Sequence, residues 1–183
     1  MIKIIFEPHS TSEDNENQLS SGWNDVDLSK AGVAQAKQLG RRYKNTKLDA
    51  IFASDLKRAR QTATLAFGNL QPNRLYLDWR LREINYGEFT QHPKEEVDIQ
   101  KPKRISEPFP DGESYEQAAD RMRSFLEDLL AFHDGRTVMV IGHRATQYGL
   151  DYWLNARPLL DSVTDTWKWQ PGWHYDLKYL PEV

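Results

Sequence analysis

Two of the five histidines, His9 and His143, stand just past the two most apolar short runs of the chain, Ile2-Lys3-Ile4-Ile5-Phe6 and Val138-Met139-Val140-Ile141. Either one alone reads as a solvated loop residue; together, at the ends of two strands, they form a pattern worth testing for chemistry. Phosphoryl transfer asks for an in-line nucleophile, for positive charge and hydrogen-bond donors around the equatorial oxygens, and for an acid at the leaving oxygen. A neutral imidazole attacks phosphorus directly. Its unperturbed pKa of about 6.5 leaves much of it unprotonated at neutral pH, so it needs less activation than serine. Arg58, in Ser54-Asp55-Leu56-Lys57-Arg58-Ala59, falls in the first turns of an expected helix, where a planar guanidinium fork could reach phosphate. The competing reading for Arg58 is a solvated helix face, as for its neighbours Lys57 and Arg60.

The elements that must position these residues alternate. Ile2 to Phe6 is β-rich and runs into Pro8 and a polar stretch to Asn24, which predicts a strand feeding a long loop. Ser29 can cap a helix on which Val33, Ala36, Leu39 and Tyr43 recur at helical spacing. Leu48 to Ala53 reads as a second strand and Leu56 to Phe67 as a second helix, with Arg74 to Asp78 as a candidate third strand. From Trp79 to Lys103 periodicity is lost, which predicts an irregular excursion over the sheet edge. Pro108 to Gly112 is a turn, and Glu113 to Phe132 is a long amphipathic helix through Ala118, Met122, Phe125, Leu126 and Leu129. Val138 to Ile141 lacks alternation, as a central strand covered on both faces should. A helix over Ala145 to Leu154 follows, and the aromatic tail Trp167 to Leu180 suggests a hairpin about Pro171-Gly172. The alternation predicts an α/β fold, a three-layer αβα sandwich whose mostly parallel central sheet carries its chemistry at the carboxyl strand ends.

Composition narrows the field. A length of 183 residues suits one well-buried domain, expected to span 1–183. With 24 Lys plus Arg against 27 Asp plus Glu, the net charge of −3 gives no footprint for nucleic acid or anionic lipid. A small charged substrate would need a local pocket. There is no cysteine, which excludes disulfides, thiolate catalysis and cysteine-ligated metal sites, and no His-Glu-x-x-His pair points to a metal hydrolase. The first apolar run is too short for a signal h-region or a membrane span, so the expectation is a soluble, cytoplasmic protein without a membrane partner.

At this point the chain resembles the histidine phosphatase superfamily, also called phosphoglycerate mutase-like, with motifs in order through most of its length. Pro8-His9-Ser10-Thr11-Ser12-Glu13-Asp14-Asn15 echoes the opening Arg-His-Gly motif, with His9 at the nucleophile position and Asn15 at the asparagine. Gly22-Trp23-Asn24-Asp25 resembles the substrate loop, and Ser54 to Ala63 is a close match to the second signature. Leu81-Arg82-Glu83-Ile84-Asn85-Tyr86-Gly87 is similar to the segment that supplies the general acid, and Val140-Ile141-Gly142-His143 to the strand carrying the second catalytic histidine. The resemblance therefore implies catalysis by His9, Glu83, His143 and Arg58, substrate binding by Asn15, Ser10, Ser12, Trp23 and Arg144, and no metal or cofactor. It implies phosphate held by Arg58, His143, Asn15 and the N–H groups after His143. Attack by His9 follows, with Glu83 as proton donor if burial keeps it protonated and His143 as a charged donor.

Departures from the pattern matter. Pro8 stands where the family has an arginine, Ser10 replaces the glycine after the nucleophile, and Arg144 stands where glycine often follows the second histidine. Arg144 either restores the missing charge or points outward to a carboxylate. The expected activity is hydrolysis of a small phosphate monoester through a phosphohistidine on His9. Alternatives are a phosphoglycerate mutase-type isomerase, disfavoured by the compact region after Glu83, and a binding protein weakened in turnover by Pro8. Trp23, Tyr86 and Phe109 lie in loops expected to rim the pocket. The substrate and the oligomeric state, a homodimer among the options, are left open by the sequence.

Overall fold

The computed structural model describes residues 1–69 and 74–182. Its sheet is built from β1 (Ile2–Pro8), β2 (Ala50–Ala53), β3 (Leu75–Leu77), β4 (Thr137–Gly142) and β5 (Trp173–Leu177) in the order β3-β2-β4-β1-β5. β1 and β2 each pair in parallel with β4, and β3 in parallel with β2, whereas β5 runs antiparallel to β1. Registers fix the site: Pro8 lies opposite Gly142 and Ala53 opposite Ile141. Three strands thus end within one residue of one another, and the next residues, His9, His143 and Ser54, leave the sheet side by side. Two main-chain bonds prolong the ladder past its end, His9 N to Gly142 O and Ser54 N to Ile141 O, both 2.9 Å.

Helices cover both faces. On one, α2 (Lys30–Arg42) and α3 (Lys57–Phe67) pack Leu39, Ala59, Ala63 and Phe67 onto Ile5, Ile51, Met139 and Ile141. On the other, α5 (Tyr115–Phe132) and α6 (Arg144–Asn155) pack Met122, Phe125, Leu126 and Leu150 onto Ile4, Phe6, Val138 and Val140. Successive β4 side chains therefore enter different cores, which is why the strand is apolar at every position from Val138 to Ile141. Each large apolar side chain so buried contributes about 1.5–3 kcal/mol. The helix starts are cut by sequence: Ser29 Oγ accepts from Gly32 N at 3.1 Å, and Ser114 forms a capping box with Gln117. None of the described helices is long and apolar enough to cross a membrane.

Three expectations change. The polar stretch after β1 holds a one-turn helix, α1 (Glu13–Glu16), closed by reciprocal bonds between Ser12 and Asn15. The segment after Trp79 does not simply cross the sheet edge. It carries 3₁₀ turns and α4 (Lys94–Gln100), and it buries Ile84, Tyr86, Val97 and Phe109 against Tyr115, Ala119, Ala145, Tyr148 and, from α7 (Leu159–Thr164), Leu159. Its apolar residues need a core, and the ends of α5, α6 and α7 supply one. The tail forms no hairpin: only Trp173–Leu177 is strand, and it pairs with β1 instead. Pairing with an existing strand edge satisfies the backbone of the tail without a second strand from Trp167 to Gln170.

Candidate active site

The two imidazoles meet over the level strand ends, with ring centroids 4.9 Å apart and planes inclined by 54°. Their hydrogen-bond partners assign each tautomer. His9 Nδ1 lies 2.7 Å from Ser10 O, which can only accept, so Nδ1 carries the proton and Nε2 keeps its lone pair. That lone pair accepts from Arg58 Nε at 3.3 Å. His143 is the reverse: Nδ1 accepts from Arg58 Nη2 at 3.3 Å, and Nε2 donates to Ser54 Oγ at 2.9 Å. Burial, reinforced by the Arg58 charge, pulls His9 down to about 3, the Ser10 carbonyl opposing. His9 keeps one side toward the cavity while protein encloses the rest. His143 is pushed well below its ordinary value first by burial, then by Arg58 and His9. Both rings are neutral in the free site.

Arg58 is 2% exposed, at the second position of α3. Beyond the two histidines it donates through Nη1 to Asn24 O at 3.1 Å and through Nη2 to Gly22 O at 2.9 Å. It is no solvated helix residue. The loop that supplies those carbonyls is itself tied to α3, since Asp25 Oδ1 accepts from Lys57 N and Asp27 from Lys57 Nζ and Gln61 Nε2, each at 2.7 Å. One turn on from Arg58, Thr62 donates to Arg58 O and accepts from Ser10 N, joining α3 to the nucleophile loop.

Glu83 is buried at the start of α6. Oε1 accepts from Ile84 N at 2.9 Å and Ala145 N at 3.1 Å, and Oε2 from Arg144 N at 3.2 Å. The amides expected to hold phosphate thus hold this carboxylate. A helix N-terminus favours negative charge, and here an acidic side chain already occupies it. The main chain at Glu83 is fastened in turn: Glu83 O accepts from Trp23 Nε1 at 2.7 Å and from Arg121 Nη2 at 3.0 Å. Arg121 also donates to the carbonyls of Arg80 and Arg82 and to the Glu113 carboxylate.

A cavity of about 600 Å³ opens on this cluster, with Pro8, His9, Ser10, Asn15, His143 and Arg144 on its walls. Ser12 is not among them: it is fully buried and committed to capping α1, a correction to its expected substrate contact. Asn15 reaches the cavity with its Oδ1 taken by Ser12 N at 3.0 Å. Trp23 also lies off the cavity wall, where it holds Glu83 O and stacks under the Arg82 guanidinium. Arg144 faces inward. Its guanidinium lies between the Tyr148 ring (5.1 Å) and the Trp167 ring (4.7 Å), Nη2 donates to Tyr148 Oη at 2.8 Å, and Nε is buried without a partner. No carboxylate pairs with it among the described residues. Ser54, Thr62 and Arg121 are contacts that sequence reading did not single out. The first two sit inside the Ser54-to-Ala63 motif at positions facing the same loop, but nothing marks Arg121 apart from its helical register.

The sheet thus delivers two imidazoles to the cavity wall, with Arg58 and Glu83 buried behind that wall, Arg58 on the rings and Glu83 on the main chain that follows His143. Residues 4–159 match the model of the histidine phosphatase superfamily (branch 1), and the chain belongs to that family. It is 31% identical over 158 residues, 82% of this chain and 77% of the relative, to a putative phosphoserine phosphatase 2 of Hydrogenobacter thermophilus. It is 30% identical, over 82% of this chain and 76% of the relative, to phosphoglycerate mutase 1 of Saccharomyces cerevisiae. Its fold is shared with a solved mycobacterial glucosyl-3-phosphoglycerate phosphatase, with a TM-score of 0.78 at 23% identity covering 88% of this chain and 85% of that one.

Proposed function

We propose that the chain, as one cytoplasmic domain without nucleic-acid or membrane partners, hydrolyses a small phosphate monoester through a phosphohistidine on His9. The protein is a phosphatase of the histidine phosphatase superfamily, the activity for which two of its curated relatives are named. The observation that carries the catalytic reading is the tautomer of His9: Nδ1 is held by Ser10 O, so Nε2 presents a neutral lone pair toward Arg58. The ester phosphate lies on the cavity side of the paired imidazoles, its oxygens taken by Arg58, Asn15 Nδ2 and Arg144, whose guanidinium replaces the one that Pro8 removes. The dianion favours protonation of His143 Nδ1, a charge the empty site disfavours. His9 Nε2 forms a bond to phosphorus as the P–O bond to the alcohol breaks, and Glu83, having taken up a proton as the dianion enters beside it, gives that proton to the departing oxygen. Glu83 Oε2, with one main-chain donor against two on Oε1, is the oxygen with room for that proton. Water then attacks the phosphohistidine, Glu83 takes its proton, and His9 and inorganic phosphate are released.

The mutase reading is kept because a curated mutase is 30% identical to the chain. Brief incubation with a ³²P-labelled ester followed by quenching should give a phosphoenzyme in the wild type and none in His9→Ala, with phosphate as the final product. Isomerised phosphoglycerate without phosphate release would support the mutase instead, and no phosphoenzyme with any ester would leave a binding protein.

A further inference from the structure

The cavity is far larger than the phosphate it serves, and its far arm has a composition of its own. Beyond the imidazoles it runs between α2 and the segment before β5, walled by Gln35, Gln38, Leu39, Arg42, Trp167 and Trp169. At about 600 Å³ the whole cavity matches those that enclose drug-sized ligands, roughly 300–1,000 Å³, so a phosphorylated three-carbon acid would leave most of it empty.

The charges on its walls are settled by the protein itself. Arg42 Nη1 pairs with the buried Glu7 carboxylate at 2.9 Å, and Glu7 Oε1 also accepts from Tyr43 Oη at 2.8 Å. Lys94, also on the cavity wall, is paired with Asp98. Arg144, beside His143, is the cavity cation without an acid partner among the described residues. Uncompensated positive charge is therefore concentrated where the phosphate belongs, and the far arm is electrically balanced. A leaving group bearing a carboxylate or second phosphate would find no free cation there.

What the arm offers instead is flat surface and amide edges. Trp167 is locked as a wall, its Nε1 donating to Gln147 Oε1 at 3.0 Å and its ring stacked on Trp173 at 5.8 Å and 23°. Trp169 is different: Arg42 covers its ring at 5.3 Å on one side, yet the residue remains 56% exposed. Gln35 is oriented by Thr11, whose N and Oγ1 both donate to its Oε1 at 2.9 and 3.0 Å, which leaves the amide nitrogen as donor. Gln38 lies one turn on from it, beside the apolar Leu39.

We infer that the far arm is a subsite for the leaving alcohol of the substrate, and that this alcohol carries an uncharged planar ring system with hydrogen-bonding edges, stacked on Trp169 and read by Gln35 and Gln38. The absence of a long side chain at Pro8, itself on the cavity wall, keeps that arm joined to the imidazoles. The inference rests on the phosphatase reading for the location of the phosphate, but its test does not need turnover. Calorimetric titration of the His9→Ala protein with adenosine 5′-monophosphate, phenyl phosphate and O-phospho-L-serine compares a nucleoside ring, an aryl ring and a small carboxylated ester. At least one ring-bearing ester should bind about tenfold or more tightly than phosphoserine, the size expected of one aromatic stacking contact. Trp169→Ala, at an exposed position, should bring the ring-bearing ester to within about twofold of phosphoserine, while Trp169→Phe keeps the preference. Adenosine monophosphate should bind ahead of phenyl phosphate, which has no edge for the glutamines to read, and equal binding of the two overturns the part assigned to Gln35 and Gln38. Phosphoserine binding as tightly as both, or Trp169→Ala leaving the preference intact, overturns the inference. Phosphoenzyme formation in the wild type, measured separately, reports on the phosphatase reading alone.

Discussion

At His9 and His143 one guanidinium does the work of orienting two rings. Arg58 donates to an accepting nitrogen on each, so both imidazoles are held neutral with their lone pairs aimed at the same small region. Pro8 supplies no charge at the end of β1, and Arg144 is the cation on the same cavity wall without an acid partner among the described residues. Its planar fork is stiffened by two aromatic rings and by Tyr148 Oη, so little entropy is lost when an anion arrives. Charge-assisted hydrogen bonds of about 1.5–3 kcal/mol predict that Arg144→Ala lowers kcat/KM and weakens phosphate inhibition by roughly 10- to 100-fold. Arg144→Lys should recover part of that loss, and unchanged kinetics and phosphate inhibition in Arg144→Ala would show that the charge is not used. These residues were legible for different reasons. His9 and His143 stand out because strand ends are where α/β sheets place chemistry, and Arg58 because it opens a helix. Ser12 misleads because its hydroxyl serves a cap, and a one-turn helix leaves no periodicity to announce that a cap is needed.

Elements reach the site through close approaches that fix loops. The start of α2 lies against the nucleophile loop: Ser29 N donates to Thr11 O at 3.0 Å, and a Cβ at Gly32 would stand 1.9 Å from that same carbonyl. No rearrangement of a side chain relieves a clash with backbone, so Gly32→Ala should push the His9–Thr11 segment off its position. The expected result is a loss of about 1–3 kcal/mol in urea denaturation and a fall in kcat well beyond any change in folded fraction. Arg121 on α5 plays the corresponding part for the acid. Its guanidinium gathers the carbonyls of Arg80, Arg82 and Glu83 and the Glu113 carboxylate, which also accepts from Asn85 N at 2.9 Å. Arg121→Met keeps the apolar stem and removes this clamp, leaving Glu113 without its partner, and should cost about 2–4 kcal/mol of stability. If Arg121 acts by positioning Glu83, kcat falls with KM little changed and the pH profile of kcat shifts; a merely structural role would lower the melting point without moving either in the folded enzyme. Long elements such as α5 could be read from spacing, since their apolar stripe spans several turns. The clamp could not, because a buried arginine on a helix has the same sequence signature as an exposed one.

On the scale of the whole molecule, the sheet order is what ties catalysis to stability. Inserting β4 between β1 and β2 brings three strand ends to within one residue of one another and sets two titratable rings among them, His143 buried and His9 partly so, beside a buried arginine. The parallel core and its layers were readable from alternating strands and helices. The antiparallel β5 was not, since whether an aromatic tail folds on itself or onto a distant strand depends on which edge is vacant. The price of the arrangement appears as pH dependence. His9 and His143 have folded values depressed by burial and by Arg58, so below about pH 6.5 the unfolded chain binds more protons than the folded one, and stability falls as pH falls. Between pH 7.5 and 5.5 each ring should cost about 1 kcal/mol. Glu7, raised by burial, acts in the opposite direction, and His133, lowered chiefly by burial, acts in the same one, so the total slope alone assigns nothing. The comparison that does is His9→Asn, which removes one proton-binding site from the unfolded chain and leaves the others. Urea titrations at both pH values should show the wild type losing about 1 kcal/mol more than His9→Asn over this interval. Equal losses would mean that His9 keeps an ordinary proton affinity in the folded protein, and with it an imidazolium rather than a nucleophile at acidic pH.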